Sequence, residues 1–358
     1  MRVLIACGGT GGHLFPGLAV AAALLDRKHE VQLLVSEKAV DQRAVARLPV
    51  AVTALPAIGF TGVRKLPQFC WRLAQATRDC RAVCREFRPH AVLGMGGFTS
   101  APALAAAQLS RRCGTLIHES NAIPGKANRW AGRFADQVAV GLADCARFFG
   151  KTPVTVTGTP LRAQLRGGRV ANAREQLGLD RHRLTVLVIG GSQGARGLNE
   201  ATAAALPVLA AWTERTQFVH LSGAKDEAVV RAAYDQHGFA ATVMGFCTQM
   251  ELAYSAADVV IARSGAGTLT EIAAFGLPAI LMPYPQAAGN HQLFNARVFE
   301  RAGAACVIEQ SHGAQLGPVI SELLDDADRR ATMAAAAQSL AVIDADQRVA
   351  SLVEQYAD

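Results

Sequence analysis

Several features that would assign this chain to a common class are missing from its sequence. No apolar run reaches the roughly 18 residues that a membrane-spanning helix requires. The eight cysteines are scattered and none forms a CxxC pair, which argues against a zinc site or a disulfide framework. The first residues form an apolar, strand-like run without a charged leader, so we expect no secretory signal and a cytoplasmic protein with reduced thiols.

Two nucleotide-binding patterns are also absent. The phosphate-binding pattern GxxxxGK[ST] does not occur, which excludes a P-loop NTPase. The nearest GxGxxG frame, over residues 9–14, ends in leucine where helix packing needs glycine or alanine. A dinucleotide-binding fold has an acidic residue at the end of its second strand. Here the nearest acid, Glu37, lies beyond that position. The sequence therefore argues against a dinucleotide-binding dehydrogenase.

The length and charge of the chain indicate two domains with different partners. A chain of 358 residues exceeds one ordinary domain, and its 51% hydrophobic residues suit an α/β protein. Residues 1–160 carry a net charge of +11, whereas residues 161–358 carry −4. We expect the first half to meet something anionic, which leaves nucleic acid, anionic lipid and a phosphorylated substrate open.

Thirteen short apolar runs alternate with helix-length segments along the chain. The sixth is Gln137–Val140, the eighth Leu184–Ile189, the tenth Thr242–Phe246 and the eleventh Val259–Ala262. This alternation predicts βαβ units and parallel sheets. The second half opens like the first, with a strand, a Gly-rich turn and a helix over Val186–Leu206. We therefore predict two Rossmann-like domains facing each other, a linker over Gly158–Val170, and a last helix over Asp344–Tyr356 that crosses back to the first domain.

The first Gly-rich turn reads GGTGGH and ends at His13. Such a turn between strand and helix usually binds an anion, because backbone N–H groups and the helix N-terminus both favour negative charge. A tight turn that needs glycines only for positive φ is the alternative. The position of His13, at the edge of the sheet where open α/β folds bind ligands, favours a ligand site.

A second motif, ARSGAGTLTEIAAFGLPAILMPYPQAAGNHQLFNARVF, places Thr268 in another helix-start loop of small residues. Glu271 follows, and we expect it in the first turn of that helix. It either complements the helix dipole or accepts hydrogen bonds from a ribose diol. His291, Gln292 and Asn295 come next, with both amides on one helical face. Together these residues predict a nucleotide-sugar site.

A third polar loop, IHESNAIPGKANRWAGRFAD, carries Glu119, Asn121 and Asn128 after a strand of the first half. It either lies beside His13 at the same sheet edge or is an ordinary polar loop in which Asn121 caps a helix.

The segment Phe60–Arg88 combines aromatic and aliphatic side chains with seven basic residues and two acids. This mixture suits a membrane interface, and we expect Leu66, Phe69 and Trp71 to be exposed and to dock on anionic lipid. A nucleic-acid surface is disfavoured because no recognised binding motif accompanies the charge. An ordinary amphipathic helix with solvated arginines is the remaining alternative.

The motifs GGTGGHLFPGLAVA, HESNAIPGKANRW, VTGTPLR, GGSQGAR and RSGAGTLTEIAAFGLPAILMPYP…NHQLFNA together resemble the MurG family, in that family's order and over essentially the whole chain. The resemblance implies the α/β GT-B fold, with two Rossmann-like domains whose parallel sheets face each other across a cleft. It implies an enzyme on the cytoplasmic face of the membrane that transfers N-acetylglucosamine (GlcNAc) from UDP-GlcNAc to the C4 hydroxyl of the muramoyl unit of lipid I, forming lipid II.

The resemblance also assigns roles to domains and residues. It implies an acceptor-binding, membrane-associating domain over residues 1–160, joined by a C-terminal helix over 342–358, and a UDP-GlcNAc-binding domain over 161–341. The implied donor contacts are Ser192, Gln193, Phe246, Cys247, Thr268, Glu271, His291, Gln292 and Asn295. The implied contacts to lipid I are Thr10, Gly11, Gly12, Asn121, Asn128 and Arg162. We expect His13 to be the catalytic residue, as the general base or as the group that orients the acceptor.

The implied mechanism is inversion by direct displacement, in which helix N-termini and hydroxyls stabilise the departing UDP. No DxD-type pair lies in a suitable loop, so we expect no bound metal, with Mg²⁺ assisting the substrates at most. Expected partners are lipid I, an anionic membrane surface and other proteins of cell-wall synthesis, but not nucleic acid. The alternatives are a UDP-GlcNAc epimerase, another lipid glycosyltransferase of the same fold, or a non-enzymatic binding protein.

Overall fold

The computed structural model describes residues 1–38, 45, 49–56, 66–110, 113–191 and 194–357. The chain divides into two compact units. The first unit comprises Met1–Arg162 and Val342–Asp358, and the second comprises Ala163–Ala341. The division after Arg162 lies two residues beyond the boundary that the sequence predicts.

The first unit is built on a seven-stranded sheet in the order β3-β2-β1-β4-β5-β6-β7, in which every pair of neighbours is parallel. Its strands are β1 (Arg2–Ala6), β2 (Glu30–Ser36), β3 (Ala51–Leu55), β4 (Ala91–Gly94), β5 (Gly114–Glu119), β6 (Gln137–Val140) and β7 (Val154–Val156). The central strands are apolar on both faces, as helices on both sides of a parallel sheet require. Val3, Leu4 and Ile5 are all 0% exposed.

The helices of the first unit connect these strands, and the last returns from the end of the chain. Their bounds are Gly11–Asp26, Leu66–Phe87, Ser100–Ser110, Lys126–Ala131 and Ala345–Glu354, with a 3₁₀ helix at Ala143–Phe148. The C-terminal helix packs on Gly11–Asp26 and contributes Val349 and Val353 to the core around β1. The last helix, which the sequence predicts to return to the first domain, lies in the first unit.

The second unit contains a six-stranded parallel sheet in the order β10-β9-β8-β11-β12-β13. Its strands are β8 (Leu184–Ile189), β9 (Thr216–Leu221), β10 (Ala240–Met244), β11 (Val259–Ala262), β12 (Ala279–Leu281) and β13 (Ala305–Val307). The predicted bounds of β10, Thr242–Phe246, were wrong by two residues. Met244 pairs with Leu221, the last residue of β9, so Gly245 and Phe246 have no partner strand.

Helices cover both faces of this second sheet. Their bounds are Ala173–Gln176, Arg196–Ala205, Glu227–Gln236, Met250–Ala256, Ala266–Phe275, His291–Arg301, Leu316–Asp325 and Ala327–Ser339. Shorter 3₁₀ segments are Ala163–Leu165, Leu206–Trp212, Ala288–Asn290 and Gln310–Gln315. Two parallel α/β units confirm the predicted fold class.

Each sheet has one point at which the strand order reverses. In the first unit β1 lies between β2 and β4, and in the second β8 lies between β9 and β11. The connections leave such a pair of strands in opposite directions, which opens a crevice at the carboxyl ends where ligands bind. The topology therefore brings the loop after β1 beside the loop after β4, and the loop after β8 beside the loop after β11.

Candidate functional site

The loop after β1 brings Thr10 and His13 together at the start of the helix Gly11–Asp26. Thr10 is the extended N-cap residue, and its carbonyl oxygen accepts hydrogen bonds from the backbone N–H groups of His13 and Leu14. The Thr10 hydroxyl lies 3.1 Å from Nδ1 of His13. The imidazole is thus held at the helix start, where backbone N–H groups favour an anion.

A second Gly-rich loop, after β4, packs against the His13 ring. Gly96 and Gly97 have φ values of 103° and 77°, which favour glycine. A Cβ on Gly96 would lie 2.9 Å from Nε2 of His13, and a Cβ on Gly97 would lie 3.0 Å from Nδ1. Only glycines allow the ring to lie this close to the backbone. The sequence analysis missed this loop, although a Gly-Gly pair between a strand and a helix is a usable signal.

Two hydroxyl side chains join the loops after β1 and β4. The backbone N–H of Gly8 donates to the hydroxyl of Thr99 at 3.0 Å. The hydroxyl of Ser100 accepts from the N–H of Gly96 at 2.8 Å and lies 3.3 Å from the carbonyl oxygen of Ala6, at the end of β1. Thr99 and Ser100 are both buried, so these hydrogen bonds hold the loops without competition from water.

A third loop, after β5, is organised by the carboxylate of Glu119. Oε1 accepts from the backbone N–H and the side-chain amide of Asn121, at 3.0 and 2.8 Å. Oε2 accepts from the N–H of Gly125 and from Nδ2 of Asn128, both at 3.0 Å. The helix Lys126–Ala131 has Gly125 as its N-cap, so the alternative in which Asn121 caps a helix is wrong.

Asn128 connects this third loop to the His13 region. It is 4% exposed, and its Nδ2 lies 3.1 Å from the position that a Cβ on Gly96 would occupy. The structure therefore brings the predicted residues His13 and Asn128 to the same glycine, although 115 positions separate them in the sequence.

Two cations complete this edge of the first unit. The guanidinium of Arg162 lies over the ring of Phe15, 4.9 Å from its centroid. The ammonium of Lys38 donates to the carbonyl oxygen of Gly9 at 2.6 Å. Glycine loops, a helix N-terminus and two cations in one place can bind a multiply charged anion such as a pyrophosphate.

In the second unit, the loop after β8 occupies the corresponding place before the helix Arg196–Ala205. Ser192 and Gln193, which the sequence analysis assigned to the donor diphosphate, lie outside the described residues. Gly191 and Gly194 flank them, and both have positive φ.

The loop after β11 leads into the helix Ala266–Phe275, whose N-cap is Gly265. Thr268 lies in the first turn. Glu271 is the sixth residue of this helix, so the expectation that it lies in the first turn was wrong. Because the effect of the helix dipole falls off within the first turn, a dipole role for Glu271 is disfavoured. Its Oε2 accepts a hydrogen bond of 2.7 Å from the hydroxyl of Tyr254.

The predicted sugar-contacting residues lie on the next helix, next to the loop after β11. The hydroxyl of Ser264 donates to the backbone oxygen of Gln292 at 2.7 Å, and Nδ2 of Asn295 donates to the oxygen of Ser264 at 3.1 Å. Asn295 is 0% exposed, so its amide braces the loop. Oε1 of Gln292 accepts from the backbone N–H of Tyr284.

His291 has a defined tautomer. Its Nδ1 lies 2.9 Å from the carbonyl oxygen of Ala288. A carbonyl oxygen only accepts, so Nδ1 carries the proton and Nε2 can accept a hydrogen bond from a ligand hydroxyl.

The two residues assigned to the uracil follow β10. Phe246 is 66% exposed, whereas Cys247 is buried at 9%. An exposed ring at the end of a strand offers a flat apolar surface for a base.

Arg263 was missed by the sequence analysis. It is 7% exposed, and its guanidinium donates to the carbonyl oxygens of Met282 and Pro283 and to Oε1 of Gln310. Burial lowers the pKa of this guanidinium. Its hydrogen bonds join the ends of β11 and β12 and so fix the loop that carries Ser264.

Models of the N-terminal and C-terminal domains of glycosyltransferase family 28 match residues 3–140 and 185–349. A protein of Geotalea uraniireducens (strain Rf4), named UDP-N-acetylglucosamine--N-acetylmuramyl-(pentapeptide) pyrophosphoryl-undecaprenol N-acetylglucosamine transferase, is 38% identical over 97% of this chain and 96% of its own. The crystal structure of Acinetobacter baumannii MurG matches with a TM-score of 0.78 and 27% identity over 99% of both chains. The chain belongs to the MurG family.

This membership confirms the family resemblance found in the sequence, and it makes the chain a glycosyltransferase. The fold also matches that of a UDP-GlcNAc 2-epimerase from Neisseria meningitidis, whose crystal structure contains UDP-GlcNAc. The match has a TM-score of 0.73 and covers 99% of this chain and 100% of the epimerase chain. At 12% identity that likeness shows the fold alone.

In this member of the MurG family, the helix Leu66–Phe87 has one apolar and one basic face. Ala76, Cys80 and Cys84, spaced four residues apart, are buried, and both cysteines belong to a core cluster with residues of the sheet. Trp71 is 65% exposed and Phe69 is partly exposed, while the side chain of Leu66 lies outside the described residues. The arginines of the outer face are exposed: Arg72, Arg78, Arg81, Arg85 and Arg88.

Within the described part of the chain, no helix has both the length and the apolar composition that crossing a membrane would take. In the same part, no three His, Cys, Asp or Glu residues are grouped as ligands of a metal ion.

Proposed function

We propose that this protein transfers N-acetylglucosamine from UDP-GlcNAc to the C4 hydroxyl of the muramoyl unit of lipid I, the undecaprenyl-pyrophosphoryl-MurNAc-pentapeptide, and so forms lipid II. The observation that carries the proposal is the match, along nearly the full length of both chains, to a relative whose name states this reaction. The two anion-binding sheet edges support it, because the reaction joins two substrates that each contain a pyrophosphate.

The first unit binds the acceptor. Thr10, Gly11 and Gly12 receive the lipid-linked pyrophosphate at the helix N-terminus, and Arg162 supplies positive charge. Asn121 and Asn128, held by Glu119, lie on the same edge and contact the acceptor.

His13 acts as the general base. Its Nε2 accepts the proton of the acceptor C4 hydroxyl as that oxygen attacks the anomeric carbon of GlcNAc. The bond between the anomeric carbon and the phosphate oxygen breaks, and UDP leaves with the electron pair, which inverts the anomeric configuration. General-base help of this kind is worth about 10²–10⁴-fold in rate.

The second unit binds the donor. Ser192, Gln193 and Thr268 contact the diphosphate at two helix starts, and Glu271 accepts hydrogen bonds from the ribose. Phe246 and Cys247 frame the uracil. His291 and Gln292 address the sugar, with Nε2 of His291 accepting from a hydroxyl. The buried Asn295, also predicted as a sugar contact, instead holds the loop that carries Ser264.

A donor-site variant tests this assignment. Glu271→Ala removes a charged acceptor that acts in ground and transition states alike, so we expect UDP-GlcNAc binding to weaken by about 10- to 100-fold with kcat little changed. Titration calorimetry measures the affinity. Unchanged affinity would leave Glu271 without a ribose contact.

The deciding experiment incubates the protein with UDP-[¹⁴C]GlcNAc and lipid I. We expect labelled lipid II and one equivalent of UDP. An epimerase would instead form labelled UDP-N-acetylmannosamine without lipid I, and a binding protein would form no product. Either result would overturn the proposal.

The departing UDP is stabilised by protein groups, without a resident metal ion. The N-terminus of the helix Ala266–Phe275 and the Thr268 hydroxyl face the growing charge. We expect EDTA to lower turnover less than about tenfold, with Mg²⁺ restoring the loss through the substrates. Complete loss of activity in EDTA would require a metal-dependent leaving-group step.

The face of Leu66–Phe87 that carries Trp71 docks on anionic lipid at the cytoplasmic face of the membrane. Apolar tips enter the headgroup boundary, and each cation near the surface adds about 1 kcal/mol. Liposome flotation compares wild type with Leu66→Ser/Phe69→Ser/Trp71→Ser. Trp130→Ser is the matched control, since Trp130 is 54% exposed on another helix.

We expect the triple variant to lose flotation and the control to retain it. A folded triple variant that floats like wild type would place the docking surface elsewhere.

A further inference from the structure

Tyr254 contacts the residue that we assign to the donor ribose. It lies on the helix Met250–Ala256, is 0% exposed, and donates its hydroxyl proton to Oε2 of Glu271 at 2.7 Å. Seventeen residues separate Tyr254 and Glu271 in sequence, and they lie on different helices. Their contact therefore depends on how these two helices are placed.

The phenol ring is fixed by its packing. It stacks on the ring of Phe275 with centroids 5.2 Å apart and an interplanar angle of 27°. Both residues belong to the core cluster beneath β11, together with Leu269 and Ile272 of the same helix as Glu271. A ring held in a dense core gives its hydroxyl one position.

Glu271 differs from Tyr254 in being only partly buried. A glutamate side chain has three rotatable bonds, and a partly exposed one samples several rotamers in water. The two carboxylate oxygens offer about four acceptor sites. The Tyr254 hydroxyl uses one of these sites, on Oε2, and a vicinal diol would use two.

We propose that Tyr254 is a positioning residue that holds the Glu271 carboxylate for both hydroxyls of a ribose, and thereby sets the preference for ribonucleotides over 2′-deoxyribonucleotides. This inference rests on the proposed function, because it requires Glu271 to contact the ribose. Because the carboxylate is already ordered before the ligand binds, less of the ligand's binding free energy is lost in ordering it.

The experiment measures the affinities of UDP and 2′-deoxy-UDP by titration calorimetry, and their ratio for each variant. Tyr254→Phe keeps the ring on Phe275 and removes only the hydroxyl. We expect it to weaken UDP binding by about threefold to tenfold, to weaken 2′-deoxy-UDP binding less, and to leave kcat at saturating donor unchanged.

Tyr234→Phe is the matched control. Tyr234 is also buried in the second unit, at 2% exposure, but its hydroxyl is hydrogen-bonded to His220. We expect this variant to lower the denaturation midpoint and to keep the wild-type ratio. It thus separates the loss of a buried hydroxyl from the loss of ribose selectivity.

Glu271→Ala and the double variant Tyr254→Phe/Glu271→Ala complete the set. If Tyr254 acts through Glu271, the double variant has the same ratio as Glu271→Ala alone. A wild-type ratio in Tyr254→Phe, with the preference lost in Glu271→Ala, would overturn the positioning role and leave the proposed function standing. A preference that survives in Glu271→Ala would overturn the ribose contact and, with it, this inference.

Discussion

His13 can take a proton only at a ring nitrogen that carries none, so its tautomer decides whether it can act as a base. The Thr10 hydroxyl lies 3.1 Å from Nδ1. When Nδ1–H donates to Thr10, Nε2 is unprotonated and faces Gly96. When the hydroxyl donates to Nδ1, the proton is on Nε2 and the base is lost. At the scale of single residues, Thr10 is therefore the partner on which the chemistry of His13 depends.

Thr10→Val removes this hydroxyl and keeps the branched shape. We expect kcat at saturating lipid I to fall by about tenfold, because Nδ1–H of the productive tautomer then loses the Thr10 hydroxyl as its acceptor, while UDP affinity stays unchanged. Steady-state kinetics and calorimetry give the two numbers. Thr10→Ser is the control that should retain most of the activity. Equal kcat for the valine variant and wild type would show that Thr10 does not select the tautomer.

At the scale of elements, the C-terminal helix Ala345–Glu354 is held to the first unit by apolar packing, by hydrogen bonds from Arg27 to Gln347 and Ser351, and by the carboxylate of Glu354. Glu354 accepts a hydrogen bond from Arg27 at 2.6 Å through Oε2 and lies 2.7 Å from Nε2 of His29 through Oε1. The hydrogen bond with His29, together with the charge of Arg27, lowers the pKa of the Glu354 carboxyl. The pair is partly buried, so it contributes more than an exposed one.

Glu354→Gln should lower the free energy of unfolding of the first unit by about 1 kcal/mol and speed hydrogen exchange in the last helix. Denaturant titration and exchange mass spectrometry measure both effects. Glu200→Gln, which removes an ion pair with Arg196 whose side chains are 83% and 63% exposed, should change neither. Unaltered exchange in residues 345–354 would mean that apolar packing and the hydrogen bonds of Arg27 with Gln347 and Ser351 hold the helix without Glu354.

At the scale of the whole molecule, each unit contains one histidine that is 0% exposed, His118 in the first and His220 in the second. His220 lies 3.0 Å from the hydroxyl of Tyr234 through Nδ1 and 3.0 Å from Oδ1 of Asn199 through Nε2. Burial lowers the pKa of His220 from 6.5 to about 4, and burial also lowers the pKa of His118. Both rings are therefore neutral in the folded protein at neutral pH.

This predicts a loss of stability in mild acid. Between pH 6.5 and about 4 the unfolded chain binds a proton at His220 that the folded chain does not, so the free energy of unfolding falls as the pH falls. The full effect of one such histidine, reached below about pH 4, is about 3 kcal/mol, and about 2 kcal/mol of it develops by about pH 5. Denaturation midpoints at pH 7.5 and pH 5 measure it. His220→Gln should have a shallower pH dependence, and an identical slope in wild type and variant would contradict this origin.

Much of the architecture follows from the sequence alone. The apolar runs of β6, β8 and β11 have the predicted bounds, because a strand buried on both faces must be continuously apolar. The Gly-rich loops after β1 and β8 were also found, since their signal is local. The end of a strand was predicted less well where it depends on a neighbouring strand. The strand β10 ends at Met244 because its partner β9 ends at Leu221, and no local pattern in the sequence shows this pairing.

Two α/β units, their family and most of the residue types at the two sheet edges can be predicted from local patterns, because hydrophobic periodicity and Gly-rich turns act over a few neighbouring residues. Which side chains meet depends on the folded chain. His13 lies against Gly96 and Gly97, and Tyr254 reaches Glu271, through packing between elements far apart in the chain. The physical reason is that such contacts are set by strand order and by the close packing of helices on the sheet, and neither leaves a periodic trace in the sequence.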